Sequence, residues 1–126
     1  MSDKFVKDNS FVSGRFKSLG FAIKGAYKLI TTEHSIMVQS SLAVIMIFAG
    51  FYFKISRTDW MFQVFAFGLV LSIEGLNTAV EKIADFIHPD YHKRIGFIKD
   101  IAAGAVFFAA LTAMIIGLLI YVPIFI

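Results

Sequence analysis

The sequence contains no cysteine among its 126 residues. This absence excludes a disulfide, a thiolate nucleophile and a zinc–thiolate site. A cleavable signal peptide is not expected either, because the first twenty residues are polar and basic and have no continuous apolar core.

Charge is missing from three long stretches, residues 35–53, 60–73 and 101–126. Apolar residues make up 58% of the chain and the mean hydropathy is +0.76, well above that of ordinary soluble domains. Nineteen uncharged residues form a helix about 28 Å long, enough to cross the hydrocarbon core of a bilayer. We therefore predict an all-α membrane protein with a single domain over 1–126, whose transmembrane helices are residues 35–53, 60–87 and 101–126.

Residues 1–34 are predicted to form a polar tail followed by an amphipathic helix in the membrane interface. Apolar residues recur at helical spacing from residue 16 to residue 30, and basic residues occupy the other face, which is typical of such helices. The alternative is an ordinary surface helix packed on a core. The apolar stripe is Phe16, Leu19, Ile23, Tyr27 and Ile30, and the basic residues are Lys17, Lys24 and Lys28.

Polar breaks separate the predicted helices. Thr31 or Thr32 is a candidate N-cap for the first span, with Glu33 in its first turn. Pro89 is expected to end the second span, and residues 89–99 are predicted to be a polar loop.

The basic residues indicate an orientation. With three spans, ten of the twelve fall on one side of the membrane and only Lys54 and Arg57 fall on the other. The positive-inside rule then predicts a cytoplasmic N-terminus and an external C-terminus. The ten are Lys4, Lys7, Arg15, Lys17, Lys24, Lys28, Lys82, Lys93, Arg94 and Lys99.

One unusual group of side chains lies in the second span. On a helix, Glu74, Asn77, Glu81 and Asp85 project from one face, here called the polar stripe. A charge near the bilayer centre costs roughly 2.5–3.5 kcal/mol on insertion scales. A metal, a substrate or a partner must offset that cost. The alternative interpretation is that the stripe is the solvent-exposed face of a soluble amphipathic helix.

Carboxylates beside lysines at one membrane surface suit Mg²⁺ and a polyphosphate, because magnesium prefers oxygen ligands and shares substrate phosphates. Phosphoryl transfer needs positioning and charge neutralisation more than covalent chemistry. The chain has no GxxxxGKS/T, GxGxxG or HRD motif, so a soluble-kinase fold is excluded. His34, His88 and His92 are predicted to be solvated loop residues rather than metal ligands, and a role in stacking on a base stays open for His92.

Two other functional classes compete with a phosphoryl-transfer enzyme. A small ion-coupled transporter also buries glutamates in a short helix bundle, but it needs charges accessible from both sides. A non-catalytic subunit would use the carboxylates for helix association. Transfer of labelled phosphate from ATP to extracted lipid separates the three.

The segment E-G-L-N-T-A-V-E-K-I-A-D, followed by Y-H and by K-D at the next span, resembles the small bacterial membrane diacylglycerol kinase family, which includes the undecaprenol kinases. The family signature has Glu, Asn, Ser or Thr, Ala or Ser, Glu and Asp at fixed spacing. The sequence matches it at Glu74, Asn77, Thr78, Ala79, Glu81 and Asp85.

The resemblance implies a lipid kinase that transfers the γ-phosphoryl group of ATP to diacylglycerol or undecaprenol. Glu74 resembles the general base, with Asn77 beside it. Glu33 and Glu81 resemble the carboxylates that hold the Mg²⁺ of Mg·ATP.

The resemblance also implies a nucleotide site. Lys99 and Asp100 match nucleotide-site residues, Tyr91 and His92 match a loop that contacts the base, and Lys17 matches a basic position on the interfacial helix.

Two further residues are expected to have supporting roles, Asp85 and Arg15. The phosphate-contacting arginine of the family has no in-register match, since Gly14 stands at its position and Arg15 follows it.

Family members are homotrimers with active sites shared between protomers. The resemblance therefore implies a homotrimeric bundle in the bacterial inner membrane, with the active site at the cytoplasmic face and no nucleic-acid partner. Both acceptor lipids present a primary hydroxyl, and the sequence leaves the choice between them open.

Overall fold

A computed structural model describes residues 11–126, which form four α-helices. The basic residues Lys4 and Lys7, used above for the orientation, lie outside the described residues. The helices are α1 (Phe11–Thr32), α2 (His34–Phe53), α3 (Arg57–Ile87) and α4 (Lys93–Phe125). They divide into one unit that ends at His34 and a second that comprises Ser35–Ile126.

In the first unit, α1 is helical throughout the predicted stretch and has no buried residue. The side chains of the apolar stripe, Phe16 to Ile30, are all at least half exposed. The proposed N-caps for α2 are wrong. The hydroxyl of Thr31 donates to Tyr27 O at 2.8 Å and that of Thr32 to Lys28 O at 2.5 Å, so both bond to carbonyls near the end of α1.

In the second unit, α2, α3 and α4 are long and apolar enough to cross a membrane, which confirms an all-α membrane protein. α2 begins one residue earlier than its predicted span, α3 three residues earlier and α4 eight residues earlier. The Ser56 side chain accepts from Asp59 N and caps α3, and the His92 side chain accepts from Arg94 N and caps α4. Residues 93–99 are therefore helical and not a loop. α3 ends at Ile87, as predicted for this span, and Pro89 directly follows its C-cap residue, His88.

α3 and α4 form the main helix–helix interface, and their register is constant. Lys99 on α4 contacts Asp85 on α3, and Tyr121 on α4 contacts Gln63 on α3. Both helices advance twenty-two residues between the two contacts, in opposite directions. Each residue of α3 can therefore be matched to the residue of α4 at the same height along the helix axes, and Glu74 lies at the height of Ala110.

A polar network joins the three spans near the turn between α2 and α3. Gln63, which is 3% exposed, donates from Nε2 to Met46 O at 3.1 Å. The Tyr121 hydroxyl donates to Gln63 Oε1 at 2.5 Å and lies 3.3 Å from Met46 O. The three contacts join α3 to α2, α4 to α3 and α4 to α2, so this network sets the relative heights of the three helices.

The turn between α2 and α3 is compact. Lys54 has a φ of 53°, Ile55 N donates to Gly50 O and Lys54 N donates to Phe51 O, which together form a Schellman C-cap. Trp60 then packs so closely on α2 that a Cβ at Gly50 would lie 2.6 Å from Trp60 Cη2. Only glycine at position 50 permits this approach.

Candidate active site

The polar stripe lies on one face of α3, because the helix is continuous from Arg57 to Ile87. Its members differ in burial. Glu74 is buried, with 8% of its surface exposed, Asn77 is half-buried, and Glu81 and Asp85 are exposed. The face therefore runs from a buried carboxylate within the bundle to solvated carboxylates near the α3–α4 loop.

Glu74 occupies the most enclosed position of the stripe. The hydroxyl of Thr78, also 8% exposed, donates to the Glu74 backbone carbonyl at 3.1 Å and does not reach the carboxylate. Within residues 11–126, no hydrogen bond or ion pair engages that carboxylate. Because burying an unpaired polar group costs free energy, an acid at this position is available to a bound ligand.

Asn77 is oriented by Glu81, one turn along α3. Its Nδ2 donates to Glu81 Oε1 at 2.8 Å. Its Oδ1 is buried and accepts no hydrogen bond in the described part of the chain. A buried unsatisfied acceptor is uncommon in folded proteins and calls for an explanation. This oxygen, one turn from Glu74, can accept a hydrogen bond from a substrate hydroxyl.

The far end of the stripe contacts α4. Lys99 Nζ lies 2.6 Å from Asp85 Oδ1. Asp100 follows Lys99 and is exposed. The pair and Asp100 thus place an ammonium group and carboxylates at one edge of the second unit, a combination of charges that could bind a phosphate and its cation.

The α3–α4 loop holds the two residues matched to a base-contacting segment. Tyr91 is 86% exposed, and a Cβ at Gly96 would lie 3.4 Å from its ring. His92 Nδ1 caps α4 at 3.1 Å from Arg94 N, and its ring lies 5.2 Å from that of His88. The capping bond fixes the His92 ring, while the exposed Tyr91 ring is available for stacking.

The structure thus brings together Glu74, Asn77, Glu81, Asp85 and Lys99 along α3 and the first turns of α4. Asp100 lies next to Lys99 on α4, and Tyr91 and His92 lie in the α3–α4 loop. The other three predicted residues, Arg15, Lys17 and Glu33, belong to the first unit. Arg15 lies over the Phe11 ring at 5.3 Å, Lys17 is exposed, and Glu33, the single residue that links α1 to α2 in the chain, is half-buried. A site shared by Glu33 and Glu81 stays a prediction.

The residues present are compatible with magnesium. In the range 11–126, no three or more His, Asp or Glu side chains are grouped so that they could hold a metal by themselves. Mg²⁺ bound with a nucleotide needs only one or two carboxylates, since phosphates and waters complete its shell. The exposed carboxylate of Glu81, held by Asn77, fits that requirement.

Sequence reasoning missed two polar residues in α2. Ser40 Oγ is buried and has no hydrogen-bond partner among the described residues, and Gln39 lines a cavity between the spans. Both belong to the polar segment Q-S-S at residues 39–41 of an otherwise largely apolar helix. That polar segment was the feature of the sequence that could have drawn attention to them.

Comparison with known proteins identifies the family. Residues 20–121 match the prokaryotic diacylglycerol kinase family. The chain is 36% identical over 108 residues to an undecaprenol kinase of Bacillus subtilis, with 86% of this chain and 88% of that protein covered.

Two diacylglycerol kinases are more distant. The protein of Synechocystis is 29% identical over 84% of this chain and 61% of its own length. The protein of Escherichia coli K12 is 24% identical over 79% of this chain and 81% of its own length. These relatives give no support to the transporter alternative. The chain belongs to the prokaryotic diacylglycerol kinase family and is a membrane lipid kinase that uses ATP as its co-substrate.

Proposed function

We propose that the acceptor of this lipid kinase is an isoprenoid alcohol of the undecaprenol class and that Glu74 is the general base. Support for the acceptor comes from the higher identity to the undecaprenol kinase, 36%, than to the two diacylglycerol kinases, 29% and 24%. Support for the base comes from one observation: a buried glutamate whose carboxylate has no partner among residues 11–126 lies one turn from Asn77 Oδ1, which is likewise unsatisfied there.

The proposed step is a direct phosphoryl transfer. The lipid hydroxyl donates to Asn77 Oδ1 or to the Glu74 carboxylate while it approaches the γ-phosphorus. Its oxygen bonds to phosphorus, its proton passes to Glu74, and the bond to the β-phosphate oxygen breaks so that ADP leaves with the electron pair. Such transfers depend mainly on positioning, and a buried base serves this by fixing the acceptor oxygen.

Mg·ATP binds at the exposed end of the stripe in this proposal. Glu81 and Glu33 would hold the ion, which neutralises phosphate charge when bound. Lys99 meets phosphate, and Asp100 lies beside it in the nucleotide site.

The remaining nucleotide contacts are assigned to the α3–α4 loop and to α1. Tyr91 and His92 contact the base, Lys17 and Arg15 lie toward the phosphates, and Asp85 orients the lysine with which it pairs.

We further propose that the enzyme is a homotrimer in the bacterial inner membrane, with a cytoplasmic N-terminus and active sites shared between protomers. The many exposed large apolar side chains of α2 and α4 support a surface covered by lipid and by neighbouring chains. The uneven distribution of basic residues supports the orientation. Mixing chains that carry Glu74→Gln with chains that carry Glu33→Gln tests sharing, because a site that takes Glu74 from one chain and Glu33 from another regains activity in the mixed trimer, and separate sites do not.

The base is tested by single-turnover phosphorylation beside ATP binding. Glu74→Gln keeps the side-chain volume and is expected to lose roughly 10²–10⁴-fold in turnover with unchanged ATP affinity. Glu74→Asp shortens the side chain by one methylene and so moves the carboxylate away from the lipid hydroxyl, and its turnover should also be slow. Near-normal turnover of Glu74→Gln would contradict the assignment.

The acceptor is tested by assaying the wild-type enzyme with undecaprenol and diacylglycerol side by side in one detergent. The proposal requires a higher kcat/KM for undecaprenol. A preference for diacylglycerol would overturn the choice of acceptor and leave the kinase activity itself intact.

A further inference from the structure

A half-open cavity of about 420 Å³ lies between α2, α3 and α4. Apart from the carboxamides of Gln39 and Gln63, every residue that lines it is apolar. An apolar cavity of this kind does not hold ordered water, since water needs two to four polar partners. Hydrocarbon is the chemistry that fits it.

The cavity ends about one helical turn from Glu74 in the candidate active site. Val70, in its wall, lies one turn from Glu74 on α3. Ala110, also in its wall, lies level with Glu74 by the register of α3 and α4. One end of the cavity therefore reaches the depth at which the acceptor hydroxyl is proposed to react.

The two amides that border the cavity differ in their bonding. Gln63 is fully engaged at the end farther from Glu74, where it bonds to Met46 and Tyr121. Gln39 lines the wall with Leu71 and Val70, near Glu74, and no hydrogen bond engages its amide among residues 11–126. The far end is thus closed by a satisfied network, and the near end offers a free polar group.

The dimensions of the cavity favour a narrow ligand. The cavity extends along α3 from Gln63 to Leu71, which is about 12 Å at 1.5 Å per residue. A helix about 10 Å wide over that length would fill roughly 900 Å³, about twice the space present. A helix of a second copy would therefore lie mostly outside the cavity, whereas a single hydrocarbon chain fits within it.

We propose that this cavity binds the hydrocarbon segment next to the reacting hydroxyl of the acceptor alcohol, with the Gln39 amide at its mouth beside the polar end of that lipid. The inference rests on the proposed position of the hydroxyl at Glu74. The first isoprene units of the acceptor then determine affinity through apolar burial, while Glu74 and Asn77 act on the hydroxyl alone.

The experiment uses a substitution that fills the cavity. Gly117 lines the cavity, and a Cβ there meets no atom within 4 Å, so Gly117→Leu adds bulk without a backbone clash. Gly68 is the matched control, because it lies at the same depth on α3, has equally open surroundings and does not line the cavity. Ala43→Phe fills the cavity from α2 and is a second, independent variant.

KM and kcat are measured with undecaprenol and with prenol, a single-isoprene alcohol too short to reach from Glu74 to Gly117, which lies about 10 Å from Glu74 along the axis of α3. Gly117→Leu and Ala43→Phe should raise KM for undecaprenol about tenfold, the factor expected when roughly 60 Å² less hydrocarbon is buried. The kcat/KM for prenol should not change, and Gly68→Leu should match the wild type with both alcohols. Gln39→Leu should raise KM for both.

Other outcomes overturn the inference. If both cavity-filling variants keep the wild-type KM for undecaprenol, the chain binds elsewhere. If they lose activity equally with both alcohols and also change the oligomeric state in detergent, the cavity serves packing between copies.

Failure of the base assignment is distinguishable from these outcomes. In that case Glu74→Gln retains turnover while the cavity-filling variants still discriminate between the two alcohols.

Discussion

Lys99 Nζ lies 2.6 Å from Asp85 Oδ1 and joins the end of α3 to the second turn of α4. The side chains are 38% and 60% exposed, respectively. An ion pair this exposed contributes little to stability, typically less than about 1 kcal/mol. We therefore predict that this pair serves the nucleotide site more than the fold.

Substitution of Lys99 should affect the nucleotide more than the fold. Lys99→Met is expected to raise KM for ATP by about tenfold or more, because a phosphate would lose a charged partner. Asp85→Asn, the matched control, removes the same ion pair but keeps the lysine charge and should raise KM less. Thermal unfolding in detergent should be nearly unchanged for both. If Lys99→Met and Asp85→Asn raised KM for ATP equally, the intact ion pair, and not the lysine charge alone, would be what ATP binding requires.

Asn77 should show opposite effects on activity and stability. Asn77→Leu removes a buried acceptor that has no partner, so the midpoint of thermal unfolding should stay the same or rise. Turnover should fall at least tenfold, since the acceptor hydroxyl loses a hydrogen bond. Loss of stability together with activity would instead indicate that the Asn77–Glu81 bond has a structural role.

Glu81 is predicted to bind the magnesium of Mg·ATP. Glu81→Gln retains the oxygen that accepts from Asn77 but loses the charge, so it should weaken Mg·ATP binding about tenfold or more while the protein still assembles. The measurement is ATP binding over a magnesium titration, with Glu33→Gln assayed in parallel. Unchanged ATP affinity and turnover in Glu81→Gln would refute the assignment.

Gly50 is predicted to be essential for packing of α2 on α3. Gly50→Ala would place its Cβ 2.6 Å from Trp60 Cη2, and such overpacking typically costs about 1–3 kcal/mol. Gly68→Ala, where a Cβ meets nothing within 4 Å, should be neutral or stabilising by up to about 1 kcal/mol through helix propensity. Denaturant unfolding in micelles compares the two. Similar values for both variants would show that the Trp60 ring can move aside.

The apolar stripe of α1 is predicted to lie in the membrane interface. Spin labels placed singly along residues 16–30 should alternate between lipid and water accessibility with a period of about 3.6 residues. Labels at Phe16, Leu19 and Ile23 should be lipid-accessible, and those at Lys17 and Lys24 water-accessible. Uniform water exposure along the helix would exclude this placement.

The sequence by itself determined the three apolar helices and the polar stripe, because both are local properties. An uncharged stretch of nineteen residues can satisfy its backbone in a bilayer only as a helix or a closed barrel, and helical geometry alone places Glu74, Asn77, Glu81 and Asp85 on one face. The motif in that stripe also indicated the family. The ends of the helices were less predictable, since the caps by Ser56 and His92 depend on side-chain orientation.

Only the tertiary structure decided the surroundings of the residues in the stripe. The burial of Glu74, the unsatisfied Oδ1 of Asn77 and the pairing of Asp85 with Lys99 all depend on the height of α4 against α3. That height is fixed by Tyr121 and Gln63, which are 58 residues apart in the chain. The cavity beside Glu74 has the same origin, because a space between three helices is a property of their packing and no single helix encodes it.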